Sequence, residues 1–118
     1  MIPTRVHGLL DWLSAAALVT APRLLGWRPG LRRALDGAAL GTATYSLATR
    51  YEWGAADALS MEEHLALDAL QGASFCAAAV LLDEEPREVR LALAAYGVFA
   101  LAAAALTDRH PSGGTKYR

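Results

Sequence analysis

The sequence predicts an all-α fold, an integral membrane four-helix bundle made of two parallel helical-hairpin repeats. Three observations carry that expectation. Four apolar segments of helix-compatible composition run along the 118 residues. Short runs of turn residues separate them, and the first half of the chain is echoed in the second. Hydrophobic residues make up 54% of the chain, much of it alanine, so the mean hydropathy is only +0.23.

The first segment runs from about Thr4 to Trp27 and the second from about Leu31 to Thr49. The third covers about Met61 to Leu82 and the fourth about Glu88 to Thr107. Each has roughly 19 to 24 residues, which at about 1.5 Å per residue matches a hydrocarbon core. Alanine and leucine with few β-branched runs favour helix. The breaks are Trp27-Arg28-Pro29-Gly30, the stretch from Glu52-Trp53-Gly54 onward, and Asp83-Glu84-Glu85-Pro86. One transmembrane domain over residues 1–108 is expected, with repeat one at about 4–50, repeat two at about 61–108, and a flexible tail at 109–118. The opening stretch has the Arg5 and the apolar run of a signal peptide. Pro22 stands where cleavage would fall, however, and the segment recurs in mid-chain, so a retained helix is expected.

The repeat is read by sliding the chain 57 residues. His7 then meets His64, Leu10 meets Leu67, Asp11 meets Asp68, Leu13 meets Leu70, and Leu24-Leu25 meets Leu81-Leu82. At an offset of 58, Arg32 meets Arg90, Ala34-Leu35 meets Ala92-Leu93, and Thr49 meets Thr107. Each unit holds two spans, and an even number of spans returns the chain to its starting side. The copies are therefore expected to be parallel about an axis along the membrane normal. Gly37 and Gly41 form a GxxxG, and Gly72 with Cys76 a small-xxx-small pair. Both read as close packing within the molecule rather than as a dimer contact. Cys76 reads as a small packing residue. Basic residues are almost balanced between the two ends, and the cluster Arg23, Arg28, Arg32 and Arg33 leans the hairpin turns toward the cytoplasm.

The residues with chemistry to offer are His7-Gly8-Leu9-Leu10-Asp11 and His64-Leu65-Ala66-Leu67-Asp68. Residues four apart share a helix face, so each aspartate can lie beside its histidine. Charge near hydrocarbon has to face the bundle interior or interfacial water, and the repeat brings the two pairs toward each other across the bundle. Tyr51, Glu52 and Asp108, with Glu62, Glu63 and His110, fall at the same end and make it the polar end. Three roles compete for the pairs: a structural clamp between helices one and three, a divalent transition-metal site, and a proton or ion path. Arg23 reads as snorkelling to the interface, Asp36 as a partner of Arg32 or Arg33, and Trp27 and Trp53 as interfacial anchors. No nucleotide-binding, hydrolase or CxxC motif occurs, and the net charge of −1 gives no reason to expect a nucleic-acid partner.

The opening Ile2-Pro3-Thr4-Arg5-Val6-His7-Gly8-Leu9-Leu10-Asp11-Trp12 resembles the start of small bacterial membrane proteins of the SPW-repeat type. The second His64-Leu65-Ala66-Leu67-Asp68 and the segment Thr49-Arg50-Tyr51-Glu52-Trp53-Gly54 are similar to that family's motifs as well. Where the family carries Ser/Ala-Pro-Trp, this chain has Ala21-Pro22-Arg23 and, in the second half, Ala78-Ala79-Val80. The resemblance implies a two-repeat, four-helix protein of the bacterial inner membrane and no established reaction. The expectation is thus a multi-pass, non-enzymatic structural or interaction module. Its surroundings are lipid, it needs no cofactor, and His7, Asp11, His64 and Asp68 tie helices one and three. The alternatives are a metal-binding or ion-conducting membrane protein using the same residues, and a soluble alanine-rich bundle.

Overall fold

A computed structural model of the chain describes residues 1–111; 112–118, most of the expected tail, lie outside the described residues. The described residues form four helices and no strand: α1 (Thr4–Leu24), α2 (Pro29–Leu47), α3 (Met61–Leu81) and α4 (Arg87–Leu106). The ends follow local chemistry. α1 stops short of Trp27 because Gly26 takes a positive φ of 69°, a backbone state that suits glycine. α2 starts on Pro29, whose fixed φ suits a first helical turn. α3 starts at a capping box, in which Ser60 Oγ accepts from Glu63 N at 3.1 Å and Glu63 Oε1 accepts from Ser60 N.

α1 packs on α2 and α3 on α4, and α2 also touches α3. The core lies toward the turn end and draws on all four helices: Leu18, then Leu31, Leu35 and Ala39, then Phe75 and Ala79, then Val89 and Leu93. Gly72 and Gly97 let α3 and α4 approach closely. A Cβ on Gly97 would lie 2.6 Å from Cys76 Sγ and 2.7 Å from the Gly72 carbonyl oxygen. The expected packing role of Gly72 and Cys76 is thus met between α3 and α4.

The GxxxG of α2 behaves otherwise. A Cβ on Gly37 or Gly41 would meet nothing within 4 Å. α2 turns Leu31, Leu35, Ala39, Thr42 and Ser46 inward, and that register leaves Gly37 and Gly41 on the outer face. The intramolecular packing expected of this motif does not occur. Arg23 and Asp36 also differ from expectation. Arg23 Nη1 and Nη2 donate to the two oxygens of Asp36 at 2.7 Å each, a bidentate pair between α1 and α2. A hairpin neighbour, not an i±4 neighbour, is the partner.

Two backbone bridges close the polar end. Ile2 N donates to Leu106 O (2.7 Å) and Asp108 N to Ile2 O (2.9 Å), joining the start of α1 to the end of α4. Leu59 N donates to Ala48 O (2.9 Å) and Arg50 N to Leu59 O (2.8 Å), joining the start of α3 to the end of α2. The donors and acceptors are the same in both bridges, five residues ahead of each histidine.

Two helices, α3 and α4, are long and apolar enough to cross a membrane. α1 and α2 fall short of that measure; α1 carries Arg5, Asp11 and Arg23, and α2 carries Arg32, Arg33 and Asp36. Every helix nonetheless exposes large apolar side chains: Leu9 and Leu13, Leu40 and Leu47, Leu70 and Val80, Leu91 and Val98.

The two glycine environments predict opposite responses. Gly97→Ala forces a methyl into the α3–α4 contact and is expected to cost about 1–3 kcal/mol. Gly37→Ala meets open space and is expected to gain about 0.5–1 kcal/mol from helix propensity. Thermal unfolding followed by circular dichroism of the two variants checks the sign of each.

Candidate functional site

At the polar end, the first turns of α1 and α3 meet the last turns of α2 and α4. His7 and Asp11 project from α1, and His64 and Asp68 from α3, in each case one helical turn apart. All four side chains are buried, with exposures of 2%, 7%, 0% and 8%. One ligand atom from each lies within 4.8 Å of the others.

Cross pairs are shorter than the pairs along each helix. His7 Nε2 lies 2.6 Å from Asp68 Oδ2 and 3.2 Å from its own neighbour Asp11 Oδ1. His64 Nε2 lies 3.1 Å from Asp11 Oδ2 and 3.3 Å from Asp68 Oδ2. Each imidazole therefore faces both carboxylates, and α1 and α3 are joined side chain to side chain. The His7–Asp68 contact is a hydrogen bond. The His64 contacts are not: Nε2 is buried and meets neither oxygen in hydrogen-bonding geometry.

The opposite ring nitrogens are held by two threonines. His7 Nδ1 lies 2.7 Å from Thr107 Oγ1, and His64 Nδ1 lies 2.9 Å from Thr49 Oγ1. A threonine hydroxyl has one proton. In both residues it is given to the carbonyl one turn back, Ala103 O for Thr107 and Tyr45 O for Thr49, at 2.6 Å. The hydroxyl oxygen is left as an acceptor, so each histidine must donate from Nδ1. Both Nε2 atoms are thereby turned to the carboxylates. With Nδ1 protonated, a proton on Nε2 makes the ring cationic; without it, a lone pair faces the oxygens. Two further protons shared among the Nε2 atoms and carboxylates make the cluster neutral, which burial in a low-dielectric interior requires.

Two phenols complete the ring of donors. Tyr51 Oη donates to Asp11 Oδ2 at 2.7 Å, and Tyr45 Oη donates to Asp68 Oδ1. Burial, and then the Asp11 carboxylate, push the Tyr51 phenol well above its ordinary range, so it stays a neutral donor. The rings of His7, Tyr45 and Tyr51 surround that of His64, with centroids 5.4, 4.9 and 5.1 Å away. Below the carboxylates, Gln71 and Thr42 bond one another at 3.0 Å. A cavity of about 20 Å³ opens there beside His7, Asp11, Ser14, Thr42, Asp68 and Gln71, enough for one water-sized ligand.

The outer residues expected at this end take different parts. Glu52 accepts from Thr4 Oγ1 at 2.8 and 3.0 Å, fixing the loop after α2 to the start of α1. Trp53 lies on Gly8 and donates from Nε1 to Arg5 O at 2.8 Å. Asp108 contributes its backbone N–H to the bridge with Ile2, Glu63 serves the cap of α3, and Glu62 and His110 are exposed. Sequence reasoning did not find Tyr45 or the roles of Thr49 and Thr107. The threonines had a signal, since they match at the same offset as the second helices. Tyr45 had none, because Ala103 stands at the corresponding position.

Comparison of the chain with family models, with curated proteins and with solved structures gives no match.

Thr49→Val and Thr107→Val each leave a buried imidazole N–H without its acceptor, and a loss of about 1–3 kcal/mol is expected from either. Thr20→Val, which removes only a hydroxyl bonded to its own helix at an exposed position, is expected to change stability by less than about 0.5 kcal/mol. Thermal unfolding of the three variants reads the difference.

Proposed function

We propose that this chain is a small multi-pass protein of the bacterial inner membrane, of the SPW-repeat type that its motifs resemble. It acts as a structural or interaction module whose two hairpins are locked together by the His–Asp clamp. The observation that carries this reading is the distribution of polarity. The polar side chains His7, Asp11, His64, Asp68, Thr49 and Thr107 are buried, while each of the four helices exposes leucine or valine on its outside. In water that arrangement forgoes hydrophobic burial; in lipid it is the favourable one.

The charges on α1 and α2 are compatible with a spanning role. Asp11 is neutralised within the cluster, Arg23 and Asp36 pair with each other, and Arg5, Arg28, Arg32 and Arg33 lie near helix ends where long stems reach the interface. In this reading the hairpins are parallel copies related about the membrane normal. The duplicated backbone bridges at Ile2–Thr107 and Leu59–Thr49, and the duplicated threonine–histidine contacts, support that relation. The lipid bilayer is the surrounding partner, and the hairpins form one transmembrane domain over residues 1–108.

Fractionation of cells expressing the chain tests the reading. The protein is expected in the membrane pellet after an alkaline carbonate wash, and to require detergent for release. Recovery in the supernatant contradicts it. In the solubilised protein, Asp11→Leu is expected to lower stability by about 3–5 kcal/mol, because it removes one of the two carboxylates that balance a buried imidazole pair. An unchanged melting temperature contradicts the clamp.

A further inference from the structure

We propose that His7, Asp11, His64 and Asp68 bind one divalent transition-metal ion of the zinc type, through Nε2 of both imidazoles and one oxygen of each carboxylate. The inference rests on the clamp reading, since the same four side chains have to meet. It goes further in giving their meeting point a ligand.

Geometry is the first support. Zinc bonds to nitrogen and carboxylate oxygen are about 2.0–2.2 Å, so neighbouring donors of a tetrahedral site lie about 3.3–3.5 Å apart. Three of the four imidazole–carboxylate distances here are 3.2, 3.1 and 3.3 Å, with Asp11 facing His7 through Oδ1 and His64 through Oδ2. One ligand atom from each residue lies within 4.8 Å of the others, so the set would contract on a metal ion. The fourth, His7 to Asp68 at 2.6 Å, is a hydrogen-bond length and would open on metal binding. Four donors on two rigid helices, one turn apart on each, form a compact set with all members buried.

The second support is His64 Nε2. It is fully buried, it faces the two carboxylates, and no hydrogen bond satisfies it. Poorly directed contacts at 3.1 and 3.3 Å leave that buried nitrogen incompletely satisfied where the site holds protons alone. A cation between the four donors gives that nitrogen its partner.

Tautomer control is the third. Metal-ligating histidines characteristically donate their other ring N–H to a fixed acceptor. Thr107 and Thr49 are such acceptors, and each is fixed in turn by its hydrogen bond to a helix carbonyl. Tyr51 and Tyr45 hold the carboxylates in the same way. The site thus has a complete outer layer around four donors.

Charge and donor type choose the ion. Two carboxylates balance a charge of +2, so the ion takes the place of the two protons and the buried cluster stays neutral. Two imidazoles disfavour magnesium and calcium, which take oxygen ligands, and the absence of sulfur among the four donors disfavours copper(I). Zinc, with cobalt(II) as its spectroscopic substitute, suits two nitrogens and two oxygens.

The test uses detergent-solubilised full-length protein without a polyhistidine tag, stripped with chelator, loaded with zinc sulfate or cobalt chloride and desalted. About one zinc per chain by elemental analysis is expected, with intense visible bands from four-coordinate cobalt. Asp68→Asn, close in shape, is expected to retain less than about a tenth of the metal. Thr49→Val keeps all four donors and is expected to bind about 10- to 100-fold more weakly. Folded wild-type protein, verified by circular dichroism, that retains no zinc and shows no cobalt bands overturns the inference. Retention undiminished in Asp68→Asn also overturns it, by moving the ion to other groups such as exposed His110. A wild type without metal whose stability still depends on Asp11 leaves the clamp standing while the metal falls. Metal binding in a protein indifferent to Asp11→Leu in its stripped form removes the clamp instead.

Discussion

Two threonine hydroxyls govern what the rest of the polar end can do. Each closes the last turn of a helix by donating to the carbonyl behind it, and so presents only an acceptor to the imidazole that enters from the neighbouring hairpin. That contact fixes the ring nitrogen that carries the proton, and with it the face turned to Asp11 and Asp68. The backbone bridges through Ile2 and Leu59 hold the threonines against the histidine-bearing helices. The clamp is therefore built from helix ends inward, and its tautomers are set before the carboxylates are considered.

The consequence for the bundle is a division of labour along its length. Toward the turns, Leu35, Phe75 and Leu93 pack as an ordinary apolar core, and Gly72 and Gly97 let α3 and α4 approach closely. Toward the other end, a small apolar cluster of Tyr51, Met61 and Leu65 lies beside a polar one, in which charge is shared among four side chains and enclosed by Tyr45 and Tyr51. A buried ionic cluster contributes less to stability than a well-packed apolar one, because desolvation offsets most of the attraction. Its value lies in register. A slip of one residue in any helix would separate the donors and leave charge unpaired.

Much of this was legible in the sequence, and the unread part has physical causes. The doubled His-x-x-x-Asp showed which residues belong together, because periodicity puts positions four apart on one face. It could not show that His7 would lie closer to Asp68 than to Asp11, since that depends on how two hairpins dock. The same limit hid the Arg23–Asp36 pair, because helical periodicity relates Asp36 only to neighbours on its own helix. At Gly37 and Gly41 the motif indicated that close approach was possible, while the inward face of α2 was decided by Leu31, Leu35 and Ala39. Tyr45 reaches Asp68 from a position that nothing in the repeat marks.

Both clustered imidazoles carry a proton on Nδ1, given to a threonine. Nitrogen-15 NMR of histidine-labelled protein in detergent measures it directly. The chain has three histidines, and exposed His110 provides the reference signal. Two imidazoles with a one-bond coupling at Nδ1, each displaced when its own threonine is changed to valine, are predicted. An Nδ1 without a proton in either ring, with Nε2 carrying the only one, would contradict the account.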